Sequence, residues 1–246
     1  MYVKIGNRII ITEKYTLSWV RRNEGNMKPI KIIIFDLDGT LLNTLEDLKD
    51  SVNATLSTYG FPERSLEEVR KFVGNGVARL MELAVPKQLE KEKAKEVLDF
   101  FKGYYAKNCN HKTRPYDGIL TLLEYLKNQG YQLAIVSNKF DTAVKELNQL
   151  YFSNFIQVAI GQRERVRKKP FPDTVMIALE ELGGSAEEAI YIGDSEVDVE
   201  TAKNAGLRLL SVDWGFRTRD ELVYSGAQNI VEKPEDIIDY LTHTTV

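Results

Sequence analysis

The first strongly apolar segment of the chain reads Ile32-Ile33-Ile34-Phe35-Asp36-Leu37-Asp38-Gly39-Thr40. Four consecutive apolar residues are typical of a short strand that is buried on both faces of a parallel sheet. Two carboxylates and a glycine follow at the carboxyl end of this strand, which is the end where open α/β sheets bind ligands. The segment therefore predicts the first strand of an α/β fold and a candidate site directly after it.

Similar apolar runs recur farther along the chain, and amphipathic helical patterns lie between them. Strands that alternate with helices predict right-handed crossovers and a Rossmann-like parallel sheet. The further runs are 133–136, 190–192 and 207–212, and the helical patterns are 119–128, 142–150, 174–182 and 196–205.

Residues 44–116 interrupt this alternation, because they contain no convincing strand and read as four helices, near 45–59, 66–73, 77–83 and 87–106. We expect residues 44–116 to be an α-helical domain inserted into an α/β core that is built from residues 27–43 and 117–246. Residues 1–26 are expected to be an N-terminal appendage with a possible hairpin around Gly6-Asn7, and Met27 is an alternative natural start.

The composition restricts the possible partners and metals. With 33 basic and 36 acidic residues and a net charge of -3, the chain gives no electrostatic reason to expect nucleic acid or an anionic membrane as partner. A single cysteine excludes an internal disulfide and, with no secretory signal, fits a cytoplasmic protein. Because only two histidines are present, any metal is expected to be held by oxygen, which favours Mg²⁺ over zinc.

Carboxylates follow two of the predicted strands: Asp36 and Asp38 follow one, and Asp194 follows another. Asp36 and Asp38 should point to the same side of an extended chain, and a parallel sheet would bring Asp194 to the same edge. Isolated aspartates at such places usually cap turns, but three together would repel one another unless a divalent cation neutralised them. With the ordinary aspartate pKa of ~3.9, Asp36 should be ionised and able to attack phosphorus. Asp38 would then exchange a proton with the leaving group and with water.

A lysine at a loop-to-helix junction supplies a candidate phosphate-binding charge. Lys169 precedes Pro170-Phe171-Pro172-Asp173, and its ammonium group can act as a point charge on a phosphate. The basic residues before it, from Arg163 to Lys168, are interpreted as a solvated face.

Four segments, in this order along the chain, resemble the four motifs of the haloacid dehalogenase superfamily. They are Phe35-Asp36-Leu37-Asp38-Gly39-Thr40, Ser137-Asn138-Lys139, Lys169-Pro170-Phe171-Pro172-Asp173 and Gly193-Asp194-Ser195-Glu196-Val197-Asp198. The resemblance implies an α/β hydrolase core with an inserted helical cap, and the aspartate at position 38 favours phosphoryl transfer over dehalogenation.

The resemblance also implies a role for each residue of the motifs. Asp36 would be the nucleophile and a metal ligand, and Asp38 would be the acid/base that offers only its backbone carbonyl to the metal. Asp194 would complete the metal site, and Asp198 would support Lys169 or a metal-bound water. The remaining groups would bind the phosphoryl group: Ser137 and Lys169, with Gly39, Thr40 and Asn138.

Two further segments are similar to phosphoglycolate phosphatases. They are Phe72-Val73-Gly74-Asn75-Gly76 with Arg79-Leu80-Met81, and Ser211-Val212-Asp213-Trp214-Gly215-Phe216-Arg217, while Asn43 departs from the aspartate common among relatives. Asn75 and Arg79 are candidate substrate contacts, although the glycines of the first segment could simply separate two helices.

We therefore expect a magnesium-dependent phosphatase that hydrolyses a small phosphomonoester, with 2-phosphoglycolate as first choice, through an aspartyl-phosphate intermediate. The alternatives are a sugar-phosphate phosphatase, a pyrophosphatase, a β-phosphoglucomutase-like mutase and, with least support, a non-enzymatic binding protein. The expected partner is the small-molecule phosphoester, with no nucleic acid or membrane, and the chain is expected to be a monomer or a homodimer.

Overall fold

The computed structural model describes residues 3–5, 8–10 and 28–244. Its centre is a six-stranded, fully parallel sheet in the order β10-β9-β8-β3-β6-β7. Two short antiparallel pairs, β1–β2 and β4–β5, lie outside this sheet. The strands are β1 Val3–Ile5, β2 Arg8–Ile10, β3 Ile32–Phe35, β4 Leu42–Asn43, β5 Arg114–Pro115, β6 Gln132–Phe140, β7 Val158–Gln162, β8 Ala189–Gly193, β9 Arg208–Val212 and β10 Ile230–Val231.

Helices cover both faces of the sheet, which explains why its central strand is apolar throughout. Ile33 and Phe35 face a hydrophobic cluster that contains residues of α5, α6 and α10, whereas Ile32 and Ile34 face a second cluster with α7 and α8. The helices are α1 Leu45–Thr58, α2 Leu66–Phe72, α3 Val77–Ala84, α4 Lys91–Asn108, α5 Ile119–Asn128, α6 Asp141–Tyr151, α7 Asp173–Leu182, α8 Glu196–Ala205, α9 Arg219–Tyr224 and α10 Glu235–Thr244.

The helices α1–α4, which we call the helical segment (residues 45–108), share a hydrophobic cluster of their own. Val52, Val69, Phe101 and Ala84, one from each helix, are fully buried in it. Ser65 begins α2 with a capping box, because its hydroxyl accepts from the Glu68 backbone N–H while the Glu68 carboxylate accepts from the Ser65 N–H.

A buried aspartate fixes the end of the helical segment. The Asp47 carboxylate accepts backbone N–H groups of His111, Lys112 and Thr113 at 2.8–3.0 Å. The chain then enters β5, which pairs with β4 and so brings the exit of the helical segment beside its entry.

The predicted α/β class with a parallel sheet is confirmed, and α5 and α8 match their predicted ranges. The prediction that residues 44–116 contain no strand is wrong, since β5 lies within them; two residues, one of them a proline, leave no recognisable pattern. The short strands β7 and β10 and the helices α9 and α10 were also not predicted.

Strands β1 and β2 pair as an antiparallel ladder, in agreement with the expected hairpin. The expected turn at Gly6-Asn7 lies outside the described residues, as do residues 1–2 and 11–27. The division of the chain into 1–26, 44–116 and a two-part core stays a prediction. None of the described helices combines the length and the hydropathy needed to cross a membrane.

Candidate active site

Three buried aspartates meet at the carboxyl end of the sheet. Asp36 follows β3, Asp194 follows β8, and Asp198 lies in the first turn of α8. The strand register places Phe35 opposite Ile192, so β3 and β8 end side by side, while β6 continues past Ile135 to Phe140. Each aspartate offers one carboxylate oxygen to a group whose members lie within 4.8 Å of one another, and all three residues are buried.

Glycines allow the backbone to approach these carboxylates closely. A Cβ atom on Gly39 would lie 2.3 Å from Oδ2 of Asp194, and one on Gly215 would lie 2.4 Å from the Asp194 Cβ. Gly39 also has a φ of +90°, which other residues rarely adopt. Glycine is therefore required at position 39 by both backbone conformation and space, and at position 215 by space.

Lys169 is the buried cation of the cluster. Its ammonium group lies 2.9 Å from Asp36 and 2.7 Å from Asp198, and it donates to the Tyr191 hydroxyl at 3.0 Å. The other Asp198 oxygen accepts from the backbone N–H and hydroxyl of Ser195, where it caps α8. Asp198 therefore joins the helix to Lys169, and its two oxygens are already occupied.

Burial changes the acid–base properties of the cluster. It raises the pKa of Asp36 well above its ordinary value, the charges of Asp198 and Asp194 act in the same direction, and Lys169 opposes them. Burial, with the charge of Asp198, also raises the pKa of Asp194 to about 7. Both shifts favour the protonated forms, and a further positive charge beside the cluster would favour the ionised forms of Asp36 and Asp194.

The residues present fit a divalent cation. Three buried carboxylates face one ammonium group, which leaves an excess of negative charge, and oxygen ligands suit hard cations. Asp36 and Asp194 are better suited to hold such a cation than Asp198, because one Asp198 oxygen is paired with the Lys169 ammonium group and the other accepts two bonds from Ser195, whereas each Asp194 oxygen accepts one bond from a neutral donor.

The Asp38 side chain lies outside this carboxylate group, although it lines the same cavity as Asp36. Strand β3 ends at Phe35, and the Asp36 carboxylate accepts the Leu37 N–H at 2.7 Å, so the chain turns instead of continuing extended. Oδ1 and Oδ2 of Asp38 lie 3.1 and 3.4 Å from the Lys139 ammonium group.

Lys139 also donates to the Tyr105 hydroxyl of α4 at 2.6 Å, so a single buried ammonium group joins Asp38 to the helical segment. Burial lowers the pKa of Lys139, but the charge of Asp38 and the contact with Tyr105 outweigh it and raise that pKa above its ordinary value. The sequence assigns no role to Tyr105 and none to Lys139, although Lys139 belongs to the second motif segment.

The predicted phosphate-binding residues lie beside the cluster, with different partners. Ser137 is buried, and its hydroxyl accepts the Lys139 N–H at 3.3 Å. Thr40 donates its hydroxyl to Asp194 at 3.0 Å and thereby orients that carboxylate. The Asn138 side-chain amide donates to the backbone carbonyls of Gly74 and Lys169, both at 3.1 Å, which connects the second and third motifs with the helical segment.

A cavity lies between the carboxylates and the helical segment. Asp36, Asp38, Ser137, Lys139 and Lys169 form its floor. Its roof is mostly apolar and is supplied by the helical segment: Leu48, Val73, Gly74, Gly76, Val77 and Leu80.

The two residues predicted as substrate contacts do not line this cavity among the described residues. Arg79 is exposed and forms an ion pair with Glu82 at 2.8 Å, beside a separate groove of the helical segment. The Asn75 carbonyl accepts from Lys168 at 2.6 Å. A substrate contact for either residue therefore stays a prediction.

Comparison with known proteins agrees with this geometry. The family model for haloacid dehalogenase-like hydrolases matches residues 33–212. A phosphoglycolate phosphatase of Aquifex aeolicus is 35% identical over 188 residues, which cover 76% of this chain and 86% of that protein.

Two further proteins are similar over most of the chain. An N-acetylmuramic acid 6-phosphate phosphatase of Pseudomonas aeruginosa is 29% identical over 214 residues, covering 86% of this chain and 95% of that one. The crystal structure of a protein from Lactobacillus delbrueckii subsp. bulgaricus superposes on this chain with a TM-score of 0.83 and 33% sequence identity. The superposition covers 87% of this chain and 99% of that protein's chain.

Proposed function

Because this chain belongs to the haloacid dehalogenase-like hydrolases and its relatives include phosphoglycolate phosphatases, we propose that it is a Mg²⁺-dependent phosphatase for a small phosphomonoester, with 2-phosphoglycolate as preferred substrate. The observation that carries the proposal is the contact of 2.9 Å between the Asp36 carboxylate and the Lys169 ammonium group, within a buried set of carboxylates on the cavity floor.

In this proposal Asp36 attacks the phosphorus atom from the cavity floor. A bond forms between an Asp36 oxygen and phosphorus while the ester P–O bond breaks, and the departing alkoxide takes a proton from Asp38. Water then attacks phosphorus, Asp38 accepts its proton, and the Asp36–phosphorus bond breaks to release inorganic phosphate. The ammonium group of Lys169 offsets the negative charge of the transferring group.

Asp36, Asp194 and the backbone carbonyl of Asp38 would hold Mg²⁺, which supplies positive charge against the phosphoryl oxygens. The separation of Asp38 from the other carboxylates supports a distinct role for it. Its partner Lys139 orients its carboxylate toward the cavity, whereas Lys169 engages Asp36 and Asp198.

The helical segment, which lies within the predicted inserted domain of residues 44–116, would act as a cap that excludes bulk water. Its residues form the roof of the cavity, and water must reach phosphorus only after Asp36 has been phosphorylated. We further propose that the enzyme acts in the cytoplasm, binds neither nucleic acid nor a membrane, and is a monomer or a homodimer.

A sugar-phosphate substrate is the second candidate. It is favoured by the similarity to an N-acetylmuramic acid 6-phosphate phosphatase over 86% of the chain. The cavity floor is common to both candidates, so the apolar roof must distinguish a two-carbon acid from a sugar.

A phosphate-release assay with Mg²⁺ tests the proposal. Its substrates should include 2-phosphoglycolate, glucose 6-phosphate and N-acetylmuramic acid 6-phosphate. We expect turnover of 2-phosphoglycolate with the highest kcat/KM, and near-complete loss of turnover in Asp36→Asn without loss of fold. Equal turnover by the wild type and Asp36→Asn would refute the nucleophilic role, and a preference for a sugar phosphate would select the second candidate.

A further inference from the structure

Three successive backbone carbonyls of the helical segment each accept a hydrogen bond from a different side chain of the α/β core. The carbonyls belong to the turn between α2 and α3, which we call the roof turn (residues 73–76). The pairs are Arg217 with Val73 at 2.7 Å, Asn138 with Gly74 at 3.1 Å and Lys168 with Asn75 at 2.6 Å.

The roof turn lies directly over the candidate active site. Val73, Gly74 and Gly76 line the cavity that also contains Asp36 and Lys169. Because the φ angles of Gly74 and Gly76 are +120° and +81°, the turn cannot continue either neighbouring helix. Its carbonyls are thus available to the core.

Arg217 connects the roof turn with the carboxylate cluster. Its guanidinium group is mostly buried, pairs with Glu196 at 2.7 Å and also donates to the Arg70 carbonyl at 3.1 Å. The N–H of the preceding residue, Phe216, donates to Asp194 at 2.7 Å. The adjacent residues Phe216 and Arg217 therefore contact both a candidate metal ligand, Asp194, and the roof turn.

The contact is reciprocal, since the Arg70 guanidinium group donates to the Phe216 carbonyl at 2.6 Å while Arg217 donates to the Arg70 carbonyl. The Phe216 ring in turn belongs to the hydrophobic cluster of the helical segment. A movement of α2 away from the core would break these contacts together.

Lys168 belongs to the basic run that the sequence suggests is a solvated face, but its ammonium group lies against the roof turn. Within residues 28–244 no carboxylate forms an ion pair with Lys168, and its hydrogen-bond partner is the Asn75 carbonyl. Hydrogen bonds with a charged donor are stronger than neutral ones, so this contact favours the position of the turn seen here.

We propose that Lys168 and Arg217 are positioning residues that hold the roof turn over the active site and thereby favour the closed cavity. This inference rests on the proposed function for its kinetic consequence, but the geometry of the turn can be tested without turnover. If the closed position of the helical segment becomes less populated, the apparent affinity for substrate falls in proportion to the closed fraction. Saturating substrate can still shift the equilibrium to the closed position, so kcat is less affected.

Kinetics of Lys168→Met and Arg217→Met test the consequence for substrate. Each variant should raise KM at least about tenfold with a smaller change in kcat, because a charge-assisted hydrogen bond is lost. Lys168→Arg, which keeps a donor, should recover most of the affinity. Arg167→Met and Arg219→Met are matched controls, because these arginines pair with Asp173 and Asp213 within the core.

A distance measurement tests whether Lys168 and Arg217 hold the roof turn against the core, an arrangement that we call the latch. Spin labels are attached to cysteines introduced at two exposed positions, Glu92→Cys in α4 and Glu180→Cys in α7, and Cys109→Ala removes the native cysteine. Pulsed electron paramagnetic resonance then measures the distance between the helical segment and the core. The distance distribution should broaden in Lys168→Met and Arg217→Met and keep its width in the two controls.

Unchanged distributions in both test variants would overturn the latch. If the distributions broaden while the wild type hydrolyses no phosphoester, the latch stands and the proposed function fails. Broadening with unchanged KM would overturn the kinetic part of the inference, since closure would then not limit binding.

Discussion

The ammonium group of Lys139 lies 3.1 Å from the Asp38 carboxylate and is itself held by the Tyr105 hydroxyl at 2.6 Å. This pairing joins the candidate acid/base to α4 of the helical segment. It also separates Asp38 from the carboxylate group of Asp36, Asp194 and Asp198, so the four aspartates belong to two electrostatic environments, each with its own lysine.

Loss of the orienting contact from Lys139 should impair the use of Asp38 as an acid. In Lys139→Met the carboxylate loses its orienting partner, and we expect kcat for an alkyl phosphate to fall on the order of 10²-fold, within the range of general acid catalysis. For p-nitrophenyl phosphate, whose leaving group needs little protonation, the loss should be much smaller. Steady-state kinetics with both esters measure the difference.

Lys145→Met is the matched control for that variant, because Lys145 forms an exposed ion pair with Asp141 on α6, away from the cavity. A loss in Lys139→Met of the same size for both esters would contradict an orienting role for Lys139.

The Tyr105 hydroxyl should contribute to stability through the same contact. Tyr105→Phe removes a buried hydrogen bond to a charged donor but keeps the ring that stacks on Phe101, so we expect a loss of about 1–3 kcal/mol in the free energy of unfolding. Urea denaturation followed by circular dichroism measures this loss. Tyr104→Phe, at a partly exposed neighbouring position, should change stability by less than about 0.5 kcal/mol.

Mg²⁺ should stabilise the folded protein through Asp194. A ligand that binds only the native state adds about 2.7 kcal/mol at a concentration of 100 Kd, so the melting temperature of the wild type should rise with Mg²⁺. Asp194→Asn should abolish most of this rise, because the cluster loses a carboxylate charge, while the remaining side-chain oxygen can still accept from the Phe216 N–H and the new NH2 group can donate to the Thr40 hydroxyl.

Asp213→Asn is the control for the metal experiment, since Asp213 pairs with Arg219 outside the carboxylate group. Thermal denaturation with Mg²⁺ and with a chelator supplies the readout for both variants. A Mg²⁺-dependent rise that is equal in Asp194→Asn and the wild type would contradict the proposed metal site.

The sheet and the carboxylate cluster follow from local sequence because parallel strands that end together must bring their following residues together. That rule is enough for Asp36 and Asp194, whereas Lys169 lies in the loop after β7 and was predicted from its place before a helix and from the family resemblance. The rule does not specify the partner of Asp38, because the alternation of side chains holds only while the strand continues, and β3 ends at Phe35.

The contacts of Lys139, Lys168 and Arg217 could not be predicted in the same way. Each depends on how the helical segment lies over the sheet, which local patterns do not specify, and a long charged side chain can reach several partners. The short strands β5 and β10 were missed because two residues carry no periodicity.

Substitution of Gly39 should test whether the carboxylate cluster needs close backbone approach. Gly39→Ala incurs the cost of a positive φ and also places a methyl group 2.3 Å from the Asp194 carboxylate, so Asp194 must move.

Gly60→Ala is the matched control, because position 60 has a similar positive φ but an added methyl group there meets no atom within 4 Å. It therefore measures the backbone cost alone, about 1–2 kcal/mol. We expect Gly39→Ala to lower the free energy of unfolding by about 1–3 kcal/mol more than Gly60→Ala, as overpacking does. It should also weaken the stabilisation by Mg²⁺, whereas Gly60→Ala should leave that unchanged. Equal losses of stability in urea denaturation would mean that Asp194 can move without cost, and the rigid cluster on which the metal site depends would be disproved.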